Sequence, residues 1–518
     1  MKKSVFPAVI AILLALSLGC AGFADTEEGK ETPSPETQER HQEAVPEKAT
    51  VPMESSVTEH TVMVNDEPLT YAAKAELMPL FDDSGEEVAR VFYVGYSQVD
   101  QDPVDRPITF AFNGGPGSSA LFLHLGAFGP KSVRTTPSGI GLPRLPYVLE
   151  DNPQTLLDVT DLVFIDPVGT GYSRPSDLED DRFFGVAEDI HWVAQFIRMY
   201  LTRENRWASP VYLAGESYGG VRGTGLASAL MDIGIMPSGI ILVSPVANYG
   251  DLVPDSGNDR PFIHDLSAMA AAAWYHKRLP EDLQSLPLSD VVSKAREWAN
   301  GPYMAALWKG NGLSDEERSQ VVSQLARFTS LPERDIRSLN LRIPTSVFLS
   351  GLLQDRREMI SRYDGRLTGP GGWYNYGEDP MFTVGGAPYQ TAFMHYLIND
   401  LDFSSDREYF SSNSEVIYRW NFQSGSETFV GYPNTVDLLA SAMRRSDFLK
   451  VFVAIGSYDL TCTYDSILYT LGRLDVPSKR LSENVTVKVY DGGHMMYSNP
   501  QAKGELKGDL AEFYRREP

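Results

Sequence analysis

Cysteine is nearly absent from this chain: 518 residues contain two, Cys20 and Cys462. There is no C-x-x-C pair and no H-E-x-x-H stretch, so the usual spacings for a zinc site or a metallopeptidase helix are missing. We therefore expect no metal and no cofactor. An internal disulfide is excluded too, because Cys20 leaves with an export signal or carries lipid; a core this large does without one. Basic residues are outnumbered, 45 Lys and Arg against 69 Asp and Glu, for a formal net charge of −24. No basic stripe offsets phosphate repulsion, which argues against nucleic acid and against charged docking on anionic lipid. No fixed-period repeat is evident.

The N-terminus reads as an export signal over 1–24. Lys2 and Lys3 precede an apolar run from Val5 to Leu18, too short to span a bilayer and suited to a signal-peptide core. Two processing sites compete. Leu16-Ser17-Leu18-Gly19-Cys20 resembles a bacterial lipoprotein box, with 1–19 as the signal and Cys20 lipidated, although Ser17 stands where leucine is preferred. Alternatively, Gly22 and Ala24 suit ordinary cleavage before Asp25. Residues 25–55 are rich in Glu, Thr, Pro, Gln and Lys and cannot bury enough surface to offset chain entropy, so a disordered acidic tether is expected. Together these features predict export to the periplasm or outer cell envelope, with membrane anchoring if Cys20 is lipidated.

Beyond the tether, 59–64, 71–80 and 88–96 read as antiparallel strands. Short apolar runs at 108–112, 162–165, 211–214, 240–243, 451–455 and 485–490 read as core strands. Ile190, Val193, Ala194, Ile197 and Leu201 share one face of a helix between the second and third of these. Alternating β and α segments predict an α/β protein, its mostly parallel sheet covered on both faces. The pattern changes over 248–433 to longer helices and irregular Gly-, Pro- and Trp-rich stretches, expected to form one large inserted cap on a core of 56–247 and 434–518. Gly126 to Ser132 lacks phosphate-loop spacing and is expected to be a plain loop.

Three segments carry chemistry. Gly215-Glu216-Ser217-Tyr218-Gly219 joins an apolar run to a small-residue helix, the setting of a nucleophile elbow that projects Ser217. Asn113-Gly114-Gly115-Pro116-Gly117-Ser118-Ser119 follows the 108–112 strand; successive glycines let backbone N–H groups converge on an oxyanion. Of the eight histidines, His494 alone follows the last core strand, where the Ser…Asp…His order places the general base. Asp459 closes the preceding strand and is the candidate to orient it; Asp465 competes but falls on the following helix.

These segments, with Asp166-Pro167-Val168-Gly169-Thr170-Gly171-Tyr172-Ser173, Cys462 three residues after Asp459, and Gly493-His494-Met495, resemble the serine carboxypeptidase family in family order, as a bacterial exported member. The resemblance implies an α/β-hydrolase fold, Ser217 as nucleophile, His494 as base and Asp459 as its acid. It also implies Gly115 and Tyr218 as the oxyanion hole, and Asn113 with Glu216 as the site for a substrate's terminal carboxylate. A protonated Glu216 could donate to that carboxylate, whereas an ionised one would repel it. The pattern departs at three places. The family's second recognition glutamate is replaced, with either His124 or Ala127 in its place; a frequent Trp is Ala111; a usually bonded Cys is Ser118. The expected activity is hydrolysis of C-terminal peptide bonds, with peptides as partners. The alternatives are an esterase or acyltransferase using the same triad, or a non-catalytic envelope lipoprotein.

Overall fold

The computed structural model describes residues 54–515 apart from 137, 141–144, 148, 372–378 and 425–431. The expected signal peptide, Cys20 and nearly all of the 25–55 tether lie outside the described residues. Among the described residues the main sheet has ten strands, a two-residue one and nine longer ones: β1 (Ser55–Val64), β2 (Glu67–Phe81), β3 (Glu87–Gln98), β4 (Ile108–Phe112), β5 (Asp161–Ile165), β6 (Val211–Glu216), β7 (Pro237–Val243), β8 (Lys450–Gly456) and β9 (Val485–Tyr490). Their spatial order is β1-β2-β3-β5-β4-β6-β7-β8-β9, and a two-residue strand, Arg174–Pro175, pairs beside β3. Pairings from β1 to β5 are antiparallel and those from β5 to β9 parallel.

The central strands are buried along their whole length because both faces are covered. Side-chain alternation sends Phe110 and Phe112 to one face, against helices α1 (Val186–Arg203) and α2 (Gly219–Asp232), and Ala111 to the other. Ile190, Val193, Ala194, Ile197 and Leu201 of α1 all pack in that first layer.

The stretch expected to form a cap divides by packing. Helix α3 (Arg260–Tyr275) and the segments through Ile360 share a hydrophobic cluster of their own, joined by Leu460. Helix α4 (Pro380–Asn399) instead buries Tyr389, Phe393, Tyr396 and Leu397 in the second sheet layer, the same cluster that holds Leu506, Leu510 and Phe513 of helix α5 (Pro500–Arg515).

One expectation is corrected. Gly126 to Ser132 is not a plain loop: Leu123–Phe128 winds as a buried π-helical turn, and Lys131–Val133 is a short strand. Every side chain of that turn is apolar except His124, so it buries as a unit.

Candidate active site

The parallel strands deliver the site at their carboxyl ends. β6 ends in Glu216, and Ser217 takes a left-handed backbone (φ 62°) before α2 begins. A non-glycine residue holds that conformation only where its surroundings fix it. Here Ser217 N–H donates to Val243 O (3.1 Å), and Ser217 O accepts from Gly220 N (2.8 Å) and Val246 N (3.1 Å). Ser217 is half-buried on the wall of a cleft of about 1530 Å³, which His494, Asn113, Gly115 and Glu216 also line.

The 113–119 loop sits directly on the elbow. A Cβ at Gly114 would fall 2.4 Å from Tyr218 N and 2.7 Å from Glu216 O, so only glycine allows this approach. Buried Arg222 of α2 fixes the loop, donating to Asn113 O (2.6 Å) and to Asp189 of α1 (2.8 Å). Among the described residues, no backbone acceptor takes the N–H of Gly115 or Tyr218. Both donors are free for an oxygen on the substrate.

Asp459 and His494 are brought together: His494 Nδ1 lies 2.7 Å from Asp459 Oδ2, both side chains buried. The other carboxylate oxygen accepts from Thr461 N (2.7 Å) and Cys462 N (3.0 Å), so the acid is held on both sides. Burial pulls the His494 pKa down, but the Asp459 charge and hydrogen bond outweigh it and leave it above the usual histidine value. Asp465, the competing acid, is bonded to Ser267 and Arg296 and stays on helix Tyr464–Leu471.

Asn113 and Glu216 also meet. Glu216 Oε2 accepts from Asn113 Nδ2 (3.0 Å) and from Tyr497 OH (2.7 Å), while Asn113 Oδ1 accepts from Leu123 N (3.0 Å). Burial pushes the Glu216 pKa up to about 7 despite those donors and the neighbouring His494. With both donors on Oε2, the proton belongs on Oε1. Below about pH 7 the group is then mostly a neutral donor at the edge of the cleft.

His124, one of the two residues that could stand at the lost glutamate position, supplies no cation there. His124 is buried, stacked on Phe164 (centroids 4.2 Å) and hydrogen-bonded to Tyr96 OH (2.6 Å); burial lowers its pKa to about 3. It stays neutral in the core. Ala127 is buried in the same turn. The group that reaches Glu216 is Tyr497, which the sequence reading missed; Gly126 makes room for its ring, since a Cβ there would lie 2.4 Å from Tyr497 Cε2. Also missed were Arg362 and Tyr363. Tyr363 O accepts from His494 N (2.5 Å), and its ring stands edge-on to the imidazole at 5.5 Å. Ser118 lines the cleft, and Cys462 is a free buried thiol on its wall.

A mostly parallel sheet with an elbow serine, a buried acid–histidine pair after the last two strands and a glycine loop defines an α/β-hydrolase. Known proteins narrow this further. Residues 80–234 match the family model described as serine carboxypeptidase. Serine carboxypeptidase-like 2 of Arabidopsis thaliana is 27% identical over 199 residues, 36% of this chain and 42% of the relative. Serine carboxypeptidase-like 33 of the same plant is 30% identical over 224 residues, 41% of this chain and 42% of the relative. The chain thus spans less than half the length of these curated relatives. Among solved structures, Kex1(Δ)p, a prohormone-processing carboxypeptidase from Saccharomyces cerevisiae, matches in fold with a TM-score of 0.55 at 17% identity, covering 86% of this chain and 91% of that one. Over residues 80–234 the chain is thus similar to serine carboxypeptidases.

Proposed function

We propose that the protein is a serine carboxypeptidase that removes C-terminal residues from peptides. The observation that carries this reading is the buried, hydrogen-bonded Glu216 next to the elbow serine. A neutral carboxylic acid beside Asn113 recognises a carboxylate that an ionised one would repel.

In this reading Ser217 Oγ attacks the last peptide carbonyl as His494 takes its proton, and Asp459 stays ionised to hold the imidazolium. Negative charge on the former carbonyl oxygen meets the N–H groups of Gly115 and Tyr218. His494 then gives its proton to the leaving amine, and the terminal amino acid departs. Water, deprotonated by His494, cleaves the acyl-enzyme and restores Ser217.

Matched peptides with free and amidated C-termini, followed by mass spectrometry, test the proposal. Free acids should be trimmed and amides spared. Equal cleavage would favour the esterase or acyltransferase reading, which draws support from the buried His124 and Ala127, one or other of which stands in place of the family's second glutamate. We also propose export with lipid on Cys20, on the strength of Lys2, Lys3 and the Val5-to-Leu18 run. Detergent-phase partitioning that Cys20→Ser abolishes is the expected result; a soluble protein beginning at Asp25 would refute it.

A further inference from the structure

Arg362, on the cleft wall, is a cation without a counter-ion among the described residues. It is half-buried, and among the described residues its guanidinium makes one hydrogen bond, Nε to Thr461 Oγ1 at 3.3 Å, with no carboxylate oxygen within 4.0 Å. The other cleft arginines differ. Arg278 is paired with Asp355 (2.5 Å), and Arg357 is exposed on a left-handed turn.

The nearby acids are otherwise engaged. Asp379 caps α4 by accepting from Met381 N (2.9 Å), and it also accepts from Ser361 Oγ (2.5 Å) and the backbone N of Arg362 itself (2.7 Å). Asp265 accepts from Thr345 (2.7 Å), and burial raises its pKa to about 7, so it is largely uncharged below neutrality. Arg362 is also well fixed: its carbonyl accepts from Leu460 N (3.0 Å) and Thr461 Oγ1 (3.2 Å), locking it to the loop that carries Asp459.

Sheet order then fixes direction. Asn113 follows β4, on one side of β6, and its amide holds the side chain of Glu216 at the end of β6, whereas the Asp459–Cys462 loop follows β8, two strands away on the other side. A peptide whose terminal carboxylate rests at Asn113 and Glu216 must lead its acyl part across Ser217 toward β8. We infer that Arg362 forms an anion subsite on the acyl side of the scissile bond and selects an acidic side chain on the residue before the one released. The direction rests on the carboxypeptidase reading; the subsite itself does not. A guanidinium stays charged at every working pH and binds carboxylates in a forked geometry, so one partly desolvated pair supplies about tenfold or more in discrimination.

The test compares kcat/KM on N-blocked peptides that differ only in a penultimate Glu, Gln or Lys, for the full-length enzyme, Arg362→Met and Arg362→Glu. Fluorophosphonate labelling of Ser217 verifies that each variant is folded. The wild type should favour Glu over Gln by about tenfold or more. Arg362→Met should bring that ratio near one, and Arg362→Glu should shift preference to Lys. A wild-type ratio near one, or a ratio unchanged in Arg362→Met, overturns the subsite. If free and amidated peptides are cleaved alike, the carboxypeptidase reading has failed on its own. The same comparison then uses p-nitrophenyl esters of succinate and butyrate, where the anionic acyl group should be favoured only while Arg362 is present.

Discussion

Replacing Glu216 with Gln separates recognition from scaffolding. The carboxyl is displaced from 4.5 to about 7 by burial, so its ionised form is disfavoured by roughly 3 kcal/mol. About nine-tenths of the enzyme carries the proton at pH 6 and about one-tenth at pH 8. If that proton donates to the substrate carboxylate, kcat/KM for a free-acid peptide falls by about tenfold per pH unit above 7. Gln keeps the hydrogen-bond pattern: its oxygen replaces Oε2 under Asn113 and Tyr497, and its amide replaces the protonated Oε1. The variant should therefore lose the alkaline limb and still prefer free acids over amides. The acid limb should move as well, because the Glu216 charge helps raise the His494 pKa. Removing it lowers that pKa, so the neutral base persists to lower pH. The two groups titrate as a pair, and the assay is the full pH profile of both proteins on one peptide. An alkaline limb unchanged in Glu216→Gln would refute the assignment, since the titration would then belong to another group.

The same carboxyl predicts a stability effect of known sign. It ionises near 4.5 when unfolded and near 7 when folded, so the unfolded chain gives up its proton first as pH rises. Wild type should lose up to roughly 3 kcal/mol across that interval and Glu216→Gln should not, as read by urea melts at pH 4.5 and 7.5. Tyr497→Phe removes a donor from the Glu216 anion and should move the alkaline limb upward; an unmoved limb would deny the contact a role. Asp459→Asn should cut kcat by three to four orders of magnitude or so while Ser217 stays in place, because the imidazole loses its orienting charge; steady-state kinetics check this. Gly126→Ala must displace the Tyr497 ring, costing roughly 1–3 kcal/mol in thermal melts and disturbing the pH profile together with stability.

Local chemistry made the elbow readable. A Cβ at Gly215 would fall 2.1 Å from Gly219 O, so the strand-to-helix turn forces glycine at a fixed distance from Ser217 and leaves a motif. The buried parallel strands were readable for a similar reason, since burial on both faces writes an unbroken apolar run, and 108–112 matches β4 at both ends; 485–490 also matches β9, although this edge strand is buried only at Tyr490 and alternates Val with Thr and Lys. Elsewhere the ends slipped. β1 begins at Ser55 and β6 continues through Glu216, because backbone pairing persists where side-chain hydrophobicity stops.

His124 shows the opposite failure. It stands between Leu123 and Leu125, and its polar partner, Tyr96, comes from a strand 28 residues away, so its flanks point to the core, whereas the glutamate place that it or Ala127 fills points to the cleft. Tyr497 and Arg362 left no local signal at all. Tyr497 meets Glu216 across 281 residues and Arg362 meets Thr461 across 99, contacts that exist only once the 361–364 segment and the His494 loop close over the sheet. Chemistry dictated by backbone geometry leaves a spacing in sequence. Chemistry that depends on side chains arriving from distant loops leaves only residue types, and Tyr497 and Arg362 are of that second kind, whereas Asn113 and Glu216 lie within the two glycine motifs.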